Sequence, residues 1–356
     1  TQDVLAFTPL VFGEGGTVRW SELAGISGTT FLAYVLVQWW AFRRSDGGGE
    51  FIQRLISCKD EREAEKAAWL FNIMNYVVRT WPWIVVALVA IVVFPDLEDR
   101  ELGYPKLMLA FLPPGLLGLV VASLLAAFMS TVSAQINWGA SYLVNDIYAR
   151  FIRPQAGQKE LVVAARVASV VVTALGATAA FFSESIATVF RLVIAMGTGP
   201  GLVLILRWFW WRINAWAELA AMVAGLLIGF GTSVVPFIRI EDFGIRLLVT
   251  TAITLAVWVP VMCLTRPEDD ETLDAFYRRT RPGGPGWRRQ RERTGLPPAQ
   301  NLGKDVQRVA AALMVLFGLM FAVGAVLLFR WGVLAAMLVL ALAGWTWLRA
   351  LGPTEV

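Results

Sequence analysis

Ala127, Ser130 and Thr131 form the group of residues whose types and spacing could do chemistry. On a helix they would present one backbone carbonyl and two hydroxyls within a single turn, on one face. Small hard cations prefer oxygen ligands, so cation binding is one interpretation of this spacing. Ser and Thr hydroxyls in membrane helices also bond back to a carbonyl three or four residues earlier, and the spacing alone leaves that second interpretation open.

This group lies in a stretch, residues 113–148, that begins with Leu, Val and Ala and then acquires hydroxyl and amide side chains without a break. Pro113 and Pro114 suit a helix start, where their missing amide donors would be unpaired anyway. No further proline occurs before Pro154. We therefore predict one helix of roughly 35 residues, longer than the roughly 20 that a bilayer requires, with its far end in water.

A second polar group recurs at helical spacing, which places its members on one face about two turns long. It consists of Asn72, Asn75, Tyr76 and Arg79. An ionisable side chain buried without a partner inside a membrane costs several kcal/mol, so this face is not expected to contact lipid. It lines a water-filled cavity or forms a hydrogen-bonded staple between helices, and both interpretations remain open.

A third feature is a run of small residues inside a later apolar segment: Gly197, Thr198, Gly199, Pro200 and Gly201. Three glycines and a proline weaken a helix and free backbone carbonyls, which is tolerated at membrane depth only beside protein or a cavity. Interrupted helices of this kind mark binding sites in transporters, so we expect a broken, gating helix here. A simple kink is the alternative.

The composition indicates an integral membrane protein. The 356 residues are 57% hydrophobic and only 16% charged, with a mean hydropathy of +0.61. There is no histidine, which excludes imidazole acid–base catalysis, histidine-ligated haem and most zinc sites. The two cysteines, Cys58 and Cys263, are far apart and support no disulfide framework. We expect neither an enzyme nor a cofactor.

Nine apolar windows are long enough to cross a bilayer as helices, which predicts an all-α polytopic membrane protein. They lie at about 26–42, 67–94, 113–137, 161–182, 187–211, 215–235, 245–264, 306–329 and 331–350. The last two are joined only by Arg330 and its neighbours, so they should form a tight hairpin.

The distribution of Lys and Arg predicts the orientation, because basic residues are retained on the cytoplasmic side. Most of them follow the first, third, fifth and seventh windows. Residues 1–25 are then an extracytoplasmic loop, residues 265–305 a basic cytoplasmic loop near anionic lipid, and the C-terminus is cytoplasmic. The net charge of +4 needs no nucleic-acid partner. The chain begins with Thr1 and shows no signal segment, so we expect a fragment whose beginning is missing.

Residues 118–152, GLVVASLLAAFMSTVSAQINWGASYLVNDIYARFI, resemble the signature helix of the sodium:solute symporter family. Segments 51–67, 197–225 and 264–287 resemble other parts of the same family. The resemblance covers nearly the whole chain. It implies the leucine-transporter type of fold, in which two inverted five-helix repeats alternately open a central site to either side of the membrane.

By this resemblance, residues 26–211 would be the second-repeat core, residues 212–264 two peripheral spans and residues 306–356 a C-terminal hairpin. The implied function is sodium-coupled symport of a small organic solute, such as a sugar or a carboxylate, in the bacterial inner membrane. The partners would be membrane lipid, sodium, the solute and a missing N-terminal half that carries the first repeat.

The resemblance also implies site residues. In the family, the carbonyl at the position of Ala127 and the hydroxyls at those of Ser130 and Thr131 hold a sodium ion. Gln38 falls near a residue that contacts substrate, and Arg79 near a substrate-touching Lys. The expected substrate contacts are Gln38, Trp39, Trp40, Asn72, Asn75, Tyr76 and Arg79.

The chain departs from the pattern of sugar-transporting relatives at residues 39–51, where a Tyr-Trp-Gly-x-Asn-Gln run is absent, so their sugar contacts do not transfer. A buried Arg79 would favour a carboxylate-bearing solute through bidentate pairing. Two alternatives remain open: a symporter-like membrane region of a sensor or receptor, and a fragment that is inactive in transport because it lacks the first repeat.

Overall fold

The structure is a computed structural model that describes residues 10–12, 18–20, 27–41, 48–183, 186–299 and 301–352. Two short antiparallel strands, β1 (Leu10–Phe12) and β2 (Val18–Trp20), form a hairpin, and every other regular element of the described chain is helical. The prediction of an all-α polytopic membrane protein is confirmed. Most of the predicted loop at residues 1–25 lies outside the described residues.

The described residues form two compact units. The first comprises the chain up to Trp81 together with Val189 onward, and the second is Pro82–Thr188. In the first unit, helical segments of the N-terminal part are α1 (Gly28–Ala33), a first π segment (Tyr34–Gln38), α2 (Trp39–Ala41), α3 (Gly49–Ile56), α4 (Glu61–Asn72) and a second π segment (Ile73–Val78).

Helix α5 (Thr80–Val93) begins at the end of the first unit and continues into the second. The second unit then contains a 3₁₀ turn (Arg100–Leu102), α6 (Gly103–Phe111), α7 (Pro114–Tyr142), a third π segment (Leu143–Ile152) and α8 (Gln158–Phe181). The remaining helices are α9 (Ile186–Phe209), α10 (Ala215–Val234), α11 (Phe243–Leu264), α12 (Asp270–Thr280), α13 (Arg288–Thr294), α14 (Leu302–Leu327) and α15 (Trp331–Ala350).

Eight helices of the described chain are long and apolar enough to cross a membrane, and they coincide with eight of the nine predicted windows. Of the remaining window, 26–42, the structure describes residues 27–41, and their helical part, Gly28 to Ala41, is shorter than a membrane span. Residues 42–47, which follow it, lie outside the described chain.

Helix starts follow from local side-chain chemistry. Asp60 accepts a hydrogen bond from the amide of Glu63 (2.9 Å) at the start of α4, and Asn214 accepts one from the amide of Ala217 (2.9 Å) at the start of α10. Such caps satisfy donors that the first helical turn leaves unpaired. Helix α7 instead starts with Pro114 in its first position, as predicted.

The core of the first unit is built by residues spaced for one helical face. Ala33, Val37, Trp40 and Ala41 are buried along the segment from α1 to α2. They belong to one apolar cluster with Ile194, Ala195, Phe243 and Leu247 from α9 and α11. This N-terminal segment is short, and packing against two longer helices holds it in place.

In the second unit, α7 and α8 pack together near Ala140, Val144 and Ala168. Elsewhere, side chains of α7 are exposed or half-buried, and none of its most apolar window is buried. Exposed apolar side chains on a helix of this length are suited to lipid or to another protein surface.

The basic segment that was predicted to be a loop folds instead into α12 and α13. Leu273, Tyr277 and Trp287 form a buried cluster, in which the rings of Phe276 and Trp287 stack with centroids 5.2 Å apart. The Trp287 indole N–H donates to the carbonyl of Trp208 (3.0 Å) at the end of α9. Burial of these aromatic residues orders the segment, which a count of its charges does not indicate, and its cytoplasmic location stays a prediction.

Candidate functional site

The helix that carries the predicted cation ligands runs without a break from Pro114 to Ile152, through α7 and the third π segment. The single long helix is therefore confirmed, although its last ten residues have π geometry that α-helical periodicity did not predict. The Tyr148 hydroxyl donates to Oε1 of Glu160 (2.7 Å), which joins the end of this helix to the first turn of α8.

The hydroxyls of Ser130 and Thr131 are exposed and make no hydrogen bond to any residue that the structure describes. Hydroxyls on the neighbouring helix behave differently. Ser169 donates to the carbonyl of Ala165 (2.9 Å), and Thr173 donates to that of Ser169 (2.7 Å). The back-bonded arrangement thus occurs in this unit, but not at Ser130 or Thr131, whose oxygens remain available to a ligand.

Ala127 lies inside the regular part of α7. Its carbonyl has two lone pairs, of which the helix uses one. The three oxygens are neutral, and the described chain contains no group of three or more Asp, Glu, Cys or His that could hold a metal ion. Affinity for divalent cations rises with ligand charge, so this set of donors suits an ion of lower charge.

The second polar group lies where α4 continues into the second π segment. Val77 and Trp81 are buried, and this segment packs on α14, whereas Tyr76 and Arg79 are exposed and Asn72 and Asn75 are half-buried. The Asn72 amide donates to the carbonyl of Ala68 (2.8 Å) in its own helix.

None of these four side chains hydrogen-bonds another helix of the first unit within the described residues. Arg79 has no ion-pair partner there either. Within the first unit this polar face makes no hydrogen bond to another helix, and its role as cavity lining or staple stays a prediction.

The three substrate candidates near the end of the first helical segment have different environments. Gln38 is half-buried, and Trp39 is 65% exposed. Trp40 is 7% exposed, belongs to the apolar core cluster and donates its indole N–H to the carbonyl of Leu36 (2.7 Å). Trp40 is thus a packing residue, whereas Gln38 and Trp39 keep accessible surface.

The run from Gly197 to Gly201 does not break its helix, because α9 is continuous from Ile186 to Phe209 with Pro200 inside it. The expected interruption was wrong. Gly199 lies against the carbonyl of Ala221 in α10, and Gly201 lies against the carbonyl of Trp40. The absent side chains permit close helix packing, which compensates for the low helix propensity of glycine.

A polar cluster that the sequence analysis missed joins the starts of α1 and α11. The Ser27 hydroxyl donates to Oδ2 of Asp242 (2.9 Å), and the Thr30 hydroxyl donates to Oδ1 of the same carboxylate (3.3 Å). The Gly244 amide donates to the Thr30 hydroxyl (3.1 Å). The backbone N–H of Ile245, followed by the Ser27 and Thr30 hydroxyls, holds the pKa of Asp242 below its usual value. Cap residues are visible in the sequence, but their pairing across more than 200 residues is not.

Comparison with known proteins bears on this arrangement. Residues 26–225, which include α7 and the run from Gly197 to Gly201, match the model of the sodium:solute symporter family. The chain belongs to this family. Members of the sodium:solute symporter family are transporters rather than enzymes.

Several members of the sodium:solute symporter family are similar to the chain. It is 31% identical over 153 residues to sodium/myo-inositol cotransporter 2 of Oryctolagus cuniculus, a match that covers 40% of this chain and 22% of the relative. It is 30% identical over 183 residues to the high-affinity proline transporter PutP of Bacillus subtilis, covering 49% of this chain and 38% of the relative.

A third relative in the family, the osmoregulated proline transporter OpuE of Bacillus subtilis, is 33% identical over 132 residues, covering 36% of this chain and 26% of the relative. The chain thus spans well under half the length of each of these symporters. No solved structure matches the chain.

Proposed function

We propose that the chain is part of a sodium-coupled symporter that moves a small organic solute across the bacterial inner membrane by alternating access, with its C-terminus in the cytoplasm. The observation that carries this proposal is the family match over residues 26–225. Within that match, α7 presents the unbonded hydroxyls of Ser130 and Thr131.

The sodium ion is bound in part by the Ala127 carbonyl and the two hydroxyls. A small hard cation takes several oxygen ligands, so three oxygens on one helix form one side of its site. The remaining ligands come from a first repeat, against which the second-repeat core at residues 26–211 moves. Sodium binding favours the outward-open state, and the ion gradient supplies the free energy for solute uptake.

The solute is small and polar. Relatives are named as transporters of myo-inositol and proline, and this chain offers half-buried and exposed polar side chains of matching chemistry. Gln38, Trp39, Asn72, Asn75, Tyr76 and Arg79 are proposed as its contacts. The guanidinium of Arg79 pairs with a carboxylate if the solute carries one.

The test measures solute uptake against sodium concentration in cells that express the reading frame encoding this chain. Ser130→Ala and Thr131→Ala should each raise the half-saturating sodium concentration by about tenfold, because an oxygen bound to a charged group contributes roughly 1.5 kcal/mol or more. The maximal rate should be restored at high sodium if the variants bind sodium less tightly but otherwise transport normally.

Thr173→Ala is the matched control, since it removes a hydroxyl that is already bonded to its own helix. It should leave the sodium dependence unchanged. A sodium dependence of Ser130→Ala and Thr131→Ala that equals that of the parent would refute the proposed site.

A further inference from the structure

A cleft of about 910 Å³ lies between the folded basic segment and the start of α14. Its lining includes four basic side chains and two acidic ones: Arg288, Arg291, Lys304, Arg308, Glu292 and Asp305. The acidic groups are already compensated, because Glu292 pairs with Arg288 (2.7 Å) and Asp305 pairs with Arg308 (3.2 Å). The cleft therefore has a net positive charge, contributed by Arg291 and Lys304.

Arg291 and Lys304 have hydrogen-bond donors that pair with no described residue. Arg291 donates from Nη2 to the carbonyl of Gly284 (2.8 Å), which fixes its guanidinium at the cleft wall. Its Nε is buried and has no hydrogen-bond partner among the described residues. Because this Nε is enclosed by protein, a ligand in the cleft would meet the remainder of the guanidinium and its positive charge. The ammonium of Lys304 is exposed and unpaired within the same described part of the chain.

The N-terminus of α14 opens into the same cleft. Asn301 caps the helix by accepting from the Lys304 amide (3.2 Å), whereas the amides of Leu302 and Gly303 have no partner in the described chain. Free amides and the dipole of a 26-residue helix attract an anion at this position. The basic side chains and the helix start thus favour the same kind of ligand.

The cleft also lies at the end of a candidate membrane span. Helix α14 is long and apolar enough to cross a membrane, and its first turn is part of the cleft wall. Trp208 and Phe209, at the end of the α9 span, line a neighbouring pocket together with Leu302 and Asp305. Trp side chains are enriched at headgroup depth. A phosphate group carried by a lipid would reach the cleft at this level.

We propose that this cleft binds the phosphate group of an anionic phospholipid, with the acyl chains lying along the apolar surface of the span. Arg291 and Lys304 supply the charge, and the amides of Leu302 and Gly303 supply oriented donors. Free phosphate has the same chemistry but lacks the chains that hold a lipid at the membrane surface, so the lipid should bind more tightly.

The experiment is isothermal titration calorimetry on the purified chain in an uncharged detergent. The probes are short-chain phosphatidylglycerol, short-chain phosphatidylcholine and inorganic phosphate. We expect saturable binding of phosphatidylglycerol that weakens with added salt, and phosphate binding that requires at least about tenfold higher concentration. Lys304→Gln should weaken phosphatidylglycerol binding by about fivefold. Arg288→Gln should also weaken it, because it leaves the carboxylate of Glu292 uncompensated in the cleft, and the double variant should weaken it further.

Arg279→Gln is the matched control, because Arg279 is an exposed residue of the same basic segment outside the cleft. It should leave phosphatidylglycerol binding unchanged. Arg291→Gln is a further cleft variant, and its binding is interpreted only if it melts at the same temperature as the parent. If it melts lower, the test rests on Lys304→Gln. The proposal is overturned if the cleft variants bind like Arg279→Gln, if phosphatidylcholine binds as well as phosphatidylglycerol, or if inorganic phosphate binds as tightly as the lipid.

Discussion

The indole ring of Trp81 lies directly against the backbone of Gly324, and its N–H donates to the carbonyl of Met320 (2.6 Å) in the same helix. Trp81 is 6% exposed. This pair fixes the end of the second π segment, and with it the helix that carries Asn75 and Arg79, onto α14. The polar residues proposed to contact solute are thus held by a contact on the other side of their helix.

Adding a methyl group at Gly324 should therefore be destabilising. A side chain there would overlap the Trp81 ring, so Gly324→Ala should lower the free energy of unfolding by about 1–3 kcal/mol. Trp81→Ala removes the obstacle, and the double variant should lose less than the sum of the two single changes. The free energies of unfolding of the parent, the two single variants and the double variant are measured by denaturant unfolding in detergent. Gly332→Ala is the control, because nothing lies within 4 Å of its added carbon. Losses of the two single variants that add up to that of the double variant would contradict the contact.

The close packing of α9 leads to a second prediction, about the stability of glycine-to-alanine variants. Gly201→Ala places a carbon against the Trp40 carbonyl, which is backbone and yields little, so we expect a loss of about 1–3 kcal/mol in the free energy of unfolding. Gly176→Ala, on α8, meets nothing within 4 Å and should be neutral or stabilising, because alanine has the higher helix propensity. A Gly201→Ala variant as stable as Gly176→Ala would show that α9 does not pack here.

The link from Asp242 to Ser27 and Thr30 should depend on pH. The folded-state pKa of this carboxyl is below its usual 3.8, so its ionised form stabilises the folded chain. That contribution is fully present above 3.8 and is lost as the pH falls through the lower, folded-state value. The melting temperature of the parent should exceed that of Asp242→Asn at neutral pH, and the difference should shrink in acid below 3.8.

Asp96→Asn serves as the comparison for this pH effect, because Asp96 is exposed and its side chain makes no hydrogen bond or ion pair within the described residues. It should melt like the parent across the whole range. An Asp242→Asn deficit that persists undiminished in acid would mean that the carboxylate charge is not responsible.

Arg79 offers a prediction about the solute, which rests on the proposed transport function. If its guanidinium pairs with a carboxylate, acidic solutes should compete with uptake in the parent, and Arg79→Gln should remove that competition while Arg79→Lys retains part of it. Arg62→Gln, an exposed position on α4, controls for loss of charge from the same helix. Competition that is unchanged in Arg79→Gln would exclude the pairing.

Much of the architecture follows from the sequence because membrane helices are specified locally. The length of each apolar run determined eight of the spans, and Pro114 marked the start of α7. The pattern around Ser130 and Thr131 identified the family. These features depend on residues within a few helical turns, where every backbone group must be satisfied inside its own segment.

The tertiary structure decided what depends on residues far apart in the chain. It kept α9 continuous through Pro200, because Gly199 and Gly201 pack against α10 and the carbonyl of Trp40. It buried Trp40, which the sequence offered as a solute contact. It also joined Asp242 to Thr30. Helical periodicity shows on which face of a helix a residue lies, but not what that face contacts. The contact determines whether a polar or small residue binds a ligand or packs in a core.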